Sequence, residues 1–338
     1  MSWLGEWLDR PETLRRAALA LLAANIGIVC TGGLVRLTGS GLGCPTWPRC
    51  TDDSYVTTAE MGYHGVIEFG NRTLTGVLSV FALVAIAAAW RQRRHSKAAL
   101  RATVWVLAGI AFQGVLGGIT VRLALNPWSV AVHFLASIAL IALVFVLWDR
   151  TRGEPPRWTA PRAMRTAGIF VTVVSAVVLV LGTIVTGSGP HSGDTKATRT
   201  GFDPEAMSQL HTDAVMVLVG LSVAMWFGLR ALGAPLRVTR AAAILVAVEL
   251  AQGVVGFVQY FTGLPWPVVI LHMLGACLVW TATLNLLARV TARPAQAEPG
   301  DADRDHSPAG TAVARVTARP AQAEPGDADR DHSPASTA

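Results

Sequence analysis

The chain has 338 residues, of which 52% are apolar and only 15% charged, against about 25% charge in an average soluble domain. With a mean hydropathy of +0.44, this excludes an ordinary soluble protein and indicates a multi-span membrane protein. The net charge of +6 does not point to nucleic acid, because most basic residues punctuate the gaps between apolar runs and read as orientation signals.

About twenty apolar residues cross a bilayer as a helix. Eight such spans are predicted, at 17–37, 69–89, 102–121, 129–148, 167–186, 209–229, 241–261 and 268–287. Arg10, Arg15 and Arg16 precede the first. Arg91, Arg93, Arg94, Lys97 and Arg101 follow the second, Arg150 to Arg165 the fourth, and Arg230, Arg237 and Arg240 the sixth. The positive-inside rule turns these gaps, and with them both termini, to the cytoplasm. The long gaps after spans one and five are poor in Lys and Arg and are expected outside. The first span is too long and lacks a small-residue cleavage site, which argues against a signal peptide.

Residues 288–309 recur at 314–335. Their Pro, Ala, Asp and Gly content cannot bury a core, so disorder is expected after about residue 290, and His306 and His332 receive no ligand role. A second repeat lies within the spans. Gln113-Gly114 precedes His133 by twenty residues, as Gln252-Gly253 precedes His272. An offset of about 140 sets Asn71 opposite His211, and Val35 to Gly41 resembles Ile184 to Gly189, both with Thr-Gly-Ser-Gly. The expected fold is an all-α integral membrane protein of eight helices, arranged as two pseudo-symmetric four-helix bundles at 1–150 and 151–290, with a tail at 291–338.

Even-numbered spans then begin near the outer surface, and their first turns hold Glu68 and Asn71, His133, His211 and His272. Ionisable or ligating groups at membrane depth are costly and mark function by default. Zinc asks for a third or fourth ligand, and none is grouped suitably. Haem iron needs only two axial ligands, and its apolar ring suits a four-helix interior. His211 and His272 therefore read as a bis-histidine pair. In the first half His133 has its counterpart, but Asn71 stands where a second ligand is expected. His64 is a candidate substitute, with a place in the surface loop as the alternative.

Glu68 has no counterpart, since Ser208 occupies the aligned position. It points to chemistry in the first half, or else to a surface pair with Arg72 four residues on. Glu249, in mid-span seven, reads either as a buried hydrogen-bonded acid or as a proton-path residue. Arg36, Arg72 and Arg122 lie at outer span ends, where they either hold haem propionates or snorkel to the interface. Gly32, Gly33, Gly114, Gly117, Gly118, Gly253 and Gly256 give room for close helix approach or a large ring.

The first outer loop carries Cys44 and Cys50. A disulfide suits the spacing and the compartment, two free thiols being the alternative. Cys30 and Cys277 fall inside spans as small core residues.

Over about residues 15–290 the chain resembles the bacterial haem A synthases, enzymes of cytochrome oxidase assembly. The carriers are GGLVRLTGSGLGCPTWPRC at 32–50, IEFGNRTLTG at 67–76, His133 and His272 after QGVLGG and QGVVGF, and His211. The resemblance implies that His211 and His272 ligate a resident haem b and His133 the substrate haem O. It further implies that Glu68 is the catalytic carboxylate, and that Cys44 and Cys50 form a disulfide. The C8 methyl of haem O would become the formyl of haem A, and the enzyme that makes haem O is the partner implied. An electron donor or acceptor is also needed, and the outward disulfide hints at a thiol reductant. Asn71 departs from the family pattern, which commonly has His there, so either His64 moves in or His133 binds the substrate iron alone. Without the resemblance the main alternative is a di-haem b electron-transfer protein linked to quinol, which predicts a second symmetric His pair that Asn71 breaks. A duplicated transporter would place its polar residues at midplane rather than near one surface.

Overall fold

The computed structural model describes residues 3–94, 96–153 and 158–292. The duplicated tail with His306 and His332, and Arg157 in the fourth gap, lie outside the described residues. All eight predicted spans are helices: α2 (Pro11–Leu37), α3 (Gly62–Arg91), α4 (Lys97–Arg122), α5 (Pro127–Arg150), α6 (Arg162–Ser188), α7 (Pro204–Ala231), α8 (Leu236–Phe261) and α9 (Trp266–Thr291). No strand occurs among the described residues. With 24 to 30 residues each at about 1.5 Å per residue, all exceed the ~30 Å of a bilayer core. The sequence reading did not predict the short helix α1 (Trp3–Asp9), nor the single 3₁₀ turn at Ala59–Met61.

Local chemistry sets the helix ends. Proline occupies the first turn of α2, α5, α7 and α9, where its missing N–H costs nothing. Side chains of Ser96, Asn126 and Asp203 accept from the Ala99, Trp128 and Ala206 amides, capping α4, α5 and α7. Gly233 and Gly263, with φ of 63° and 76°, stop α7 and α8 in the left-handed conformation that glycine alone adopts freely.

Helices α2, α3, α4 and α5 touch their neighbours in a closed ring, and so do α6, α7, α8 and α9. The rings meet through α2 against α9, α5 against α6 and α5 against α9. In the first ring Ala18, Ala82, Ala85, Ala88 and Ala89 are completely buried, because small side chains let membrane helices approach closely. The second ring is filled with larger groups, among them Leu229, Leu245, Leu286 and Val290. Across the seam the Trp280 indole donates to the Ile138 carbonyl at 3.1 Å in a buried setting, and the Met273 thioether lies against Gly33. Cys277 is buried and Cys30 half-buried, both as free thiols.

The outward faces are oily. Val80, Leu83, Trp105, Phe112, Ile169, Phe170, Val254 and Phe257 are exposed, as a lipid-facing surface requires. At the basic end α1 is fastened by Asp9 to Arg91 at 2.6 Å and by the Gln92 amide, which donates to the Leu8 and Arg10 carbonyls.

Candidate functional site

Four helices carry the polar layer, and each sets its polar residue against a glycine of the preceding helix. A Cβ placed on Gly32 would lie 3.9 Å from the Asn71 amide nitrogen, and one on Gly117 3.5 Å from His133 Cε1. One on Gly182 or on Gly256 would lie 3.3 Å from Cε1 of His211 or His272. A Cβ would thus be tight against the imidazole at Gly182 and Gly256 and in ordinary contact at Gly32 and Gly117. Gly182 was not picked out from the sequence. Its signal is a glycine a few residues before Thr-Gly-Ser-Gly, as Gly32 and Gly33 are in the first half.

His211 and His272 are seated alike. Each turns its Cε1 and Nδ1 edge to its glycine, with Nδ1 at 3.7 Å from the Cβ position, which leaves Nε2 turned away. The two imidazoles lie within electrostatic range of one another. His133 sits differently, presenting Cε1 and Nε2 to Gly117. The Nδ1 atoms of His133 and His272 are buried without a hydrogen-bond partner, while His211 lies beside the Val178 carbonyl without a well-formed bond to it. Buried polar atoms are normally paired, so unpaired imidazole nitrogens in this layer fit a group that the helices enclose. The donor set of the second ring, two matched imidazoles and no carboxylate beside them, suits haem iron.

Glutamines hold the histidine helices in place. Gln252 donates to the His272 carbonyl at 2.7 Å. Gln113 donates to Ser137 Oγ at 3.0 Å, and Ser137 in turn donates to the His133 carbonyl at 3.1 Å. The repeat markers of the sequence thus have a job: each ties α4 or α8 to the turn that follows the histidine. A Cβ on Gly275 would collide with the Gln252 side chain.

Asn71 accepts from Thr31 Oγ1 at 2.7 Å and is thereby committed to α2. His64 lies within α3, because that helix begins seven residues before the apolar run. Its ring bonds Ser40 Oγ at 2.9 Å and lines a cavity between the two long loops. No described contact joins His64 to His133.

Glu68 is 5% exposed and paired with Arg72, but it is buried rather than on the surface. One carboxylate oxygen accepts the Cys44 amide at 2.7 Å and the other the Arg72 guanidinium at 2.5 Å. Cys44 and Cys50 form the disulfide, and both are fully buried. Arg72 also donates to the Cys44, Thr46 and Arg49 carbonyls. Arg122 donates to the Trp47 carbonyl at 3.0 Å, and Arg36 to the His191 and Thr186 carbonyls at 2.6 and 2.7 Å. All three arginines, read from the sequence either as propionate contacts or as snorkelling to the interface, thus donate to backbone carbonyls of the loops and helix ends. Loop backbone acceptors buried beside a helix end need donors, and a guanidinium supplies several in one plane.

The first loop is seated by Trp47, whose ring fills the place of a side chain at Gly118 of α4. Gly118→Val is expected to expel Trp47, destabilise the protein by about 1–3 kcal/mol and open the disulfide loop to protease. Thermal unfolding with limited proteolysis checks this, and an unchanged midpoint and an uncut loop would contradict the seating. In the second ring Glu249 accepts from Ser222 at 2.8 Å while its other oxygen is buried and unpaired.

Eight apolar helices, with half-buried imidazoles on three of them, define a multi-pass membrane protein. The model of the cytochrome oxidase assembly protein family matches residues 15–284, and the chain belongs to that family. It is similar to proteins named haem A synthase: 29% identical over 137 residues to that of Alkalihalophilus pseudofirmus, covering 39% of this chain and 46% of the relative. It is 30% identical over 179 residues to that of Shouchella clausii, covering 51% and 58%. With that of Listeria welshimeri it shares 31% over 130 residues, covering 36% and 42%. The chain thus aligns with about half the length of the relatives it matches.

Proposed function

We propose that the chain is a haem A synthase, which oxidises the C8 methyl of haem O to the formyl of haem A for cytochrome oxidase. The observation that carries this reading is the asymmetry of the polar layer. Two histidines in matched seats occupy one ring, while the other offers a single histidine with Asn71 opposite, and Glu68 one turn before Asn71. A pure electron carrier has no use for that difference.

In this reading the two rings are pseudo-symmetric bundles from one duplicated unit, residues 1–150 and 151–290. Both termini are cytoplasmic, and the long loops and the polar layer lie toward the extracytoplasmic side. His211 and His272 hold the resident haem b, which supplies electron transfer. Gln252 fixes the backbone of the second of these ligands, and the glycines leave room for the ring. His133 ligates haem O. Asn71, held by Thr31, leaves the opposite face without an imidazole, because His64 is engaged by Ser40 instead.

Converting a methyl to a formyl removes electrons and protons and adds oxygen. Glu68 is the carboxylate positioned to take a proton or to steady developing positive charge. Arg72 and the Cys44 amide hold it in one orientation, so its geometry depends on the disulfide loop. The loop also closes the first ring to water, with Trp47 on α4 as its anchor. The enzyme that makes haem O is the natural upstream partner, and a thiol reductant acting on Cys44–Cys50 is the natural regulator of the loop.

The test is complementation. Expressed in a bacterium that makes haem O but lacks its own haem A synthase, the chain should restore an a-type oxidase spectrum. A well-expressed chain that leaves only haem O in the membranes would contradict the reading.

A further inference from the structure

The turn between α3 and α4, with the first turn of α4, forms an open cavity of about 550 Å³ lined by Arg93, Arg94, Lys97, Leu100 and Arg101. Lys97, Leu100 and Arg101 stand at i, i+3 and i+4 and share one face of α4, while Arg93 and Arg94 come from the turn. All four cations are exposed, and none pairs with a carboxylate among the described residues. Their neighbour Arg91 differs, being neutralised by Asp9 at 2.6 Å. Arg93 has its guanidinium 4.6 Å from the centre of the Trp90 ring and donates to the Trp90 carbonyl at 2.8 Å. These contacts fix its place and leave its charge.

The start of α4 is itself a positive pole. Ser96 accepts the Ala99 amide, and the first turn holds no acidic residue. The remaining open amides of a helix N-terminus favour an anion, and basic side chains there oppose the helix dipole unless an anion lies among them. The same side of α4 then turns oily. Beyond Arg101 it continues through Val104, Trp105, Phe112, Val115 and Ile119, all exposed and all at helical spacing from Lys97 and Arg101. Trp90, also exposed, marks the interface on α3, as aromatic side chains do at the edge of a bilayer. Cations at the head of an apolar, lipid-facing stripe match a phospholipid, phosphate at one end and acyl chains along the helix. A soluble phosphate would have no use for the stripe.

We propose that this cavity binds the phosphate of an anionic phospholipid, whose acyl chains lie along the exposed face of α4. Basic pockets at the cytoplasmic ends of membrane helices recognise such headgroups, and the topology proposed above puts this end in the cytoplasm. An orientation signal needs only charge on one side of the membrane. It does not require four cations to converge on one cavity above an apolar stripe. The inference is independent of the haem chemistry and would stand if that reading failed.

The test is native mass spectrometry of the purified full chain in detergent, titrated with phosphatidylglycerol or with phosphatidylcholine. Phosphatidylglycerol should be retained at least about tenfold more tightly. Each basic group at such a site is worth about fivefold, so Arg94→Gln or Lys97→Gln should weaken phosphatidylglycerol by about fivefold and the double variant by about 25-fold. Arg94→Lys should retain part of the affinity. Arg91, Arg93 and Arg101 remain in the double variant, so the orientation signal persists, and its unfolding midpoint without lipid should equal that of the parent. Arg237 and Arg240 open α8 as Lys97 and Arg101 open α4, and the pair Arg237→Gln with Arg240→Gln is the control, expected to bind normally. Equal retention of the two lipids, a double variant that binds normally, or an equal loss in the control would overturn the proposal, the last by reducing it to general surface charge. So would displacement of phosphatidylglycerol by millimolar inorganic phosphate, which would make the cavity a site for free phosphate.

Discussion

His272→Ala purifies with at least about tenfold less haem than the parent protein, and His211→Ala does the same, whereas His133→Ala keeps its resident haem. The expectation follows from the matched seats of the two imidazoles on Gly182 and Gly256, their mutual range and the unpaired Nδ1 of His272. Even a residue that only orients a metal-ligating imidazole is typically worth 10–100-fold in metal affinity, and removing the ligand itself should cost no less. Gln252→Ala, which frees the His272 carbonyl, is the milder companion, with about a tenfold loss. The haem content per chain, from the pyridine haemochrome, decides the matter. Full occupancy in His272→Ala would place the resident haem elsewhere.

Glu68→Gln keeps the resident haem and the fold but loses haem A formation by at least about 100-fold, the lower range for removal of a positioned proton-transfer group. Glutamine retains the size and one acceptor oxygen for the Cys44 amide, while the charge facing Arg72 is gone. Arg72 still has the Cys44, Thr46 and Arg49 carbonyls, so the loop should stay closed. A purely structural role would instead show as a cut loop and a lowered unfolding midpoint with near-normal turnover of the surviving protein. Product yield and loop protection, measured on the same sample, separate the two.

How much of this was legible beforehand follows from the physics of each element. The eight spans declare themselves because twenty apolar residues in a row have few other uses. Their ends do not. Residues 62–68, Gly-Tyr-His-Gly-Val-Ile-Glu, are too polar to register as membrane-embedded, yet they continue α3 to Gly62. These two or so extra turns carry His64 to Ser40 and bring Glu68 under the disulfide loop. Helix α1 is seven residues long and has no span signal. The histidines and Glu68 were readable because polar groups at membrane depth are rare. The partners of Arg36, Arg72 and Arg122 were not, since loop carbonyls are present at every residue and nothing in the sequence marks which ones lack a donor. Nor did Trp47 announce its seat, which depends on the absence of a side chain at Gly118, seventy-one positions away.

The central claim is tested most directly by the haems themselves. The protein is purified from cells that make haem O, its non-covalent haems are extracted in acid, and they are separated by chromatography with visible spectra. Haem A alongside haem b in the parent protein, and haem b with unconverted haem O in Glu68→Gln, is the result predicted. Haem b alone, at two per chain with haem O untouched, would contradict it and make the protein an electron carrier.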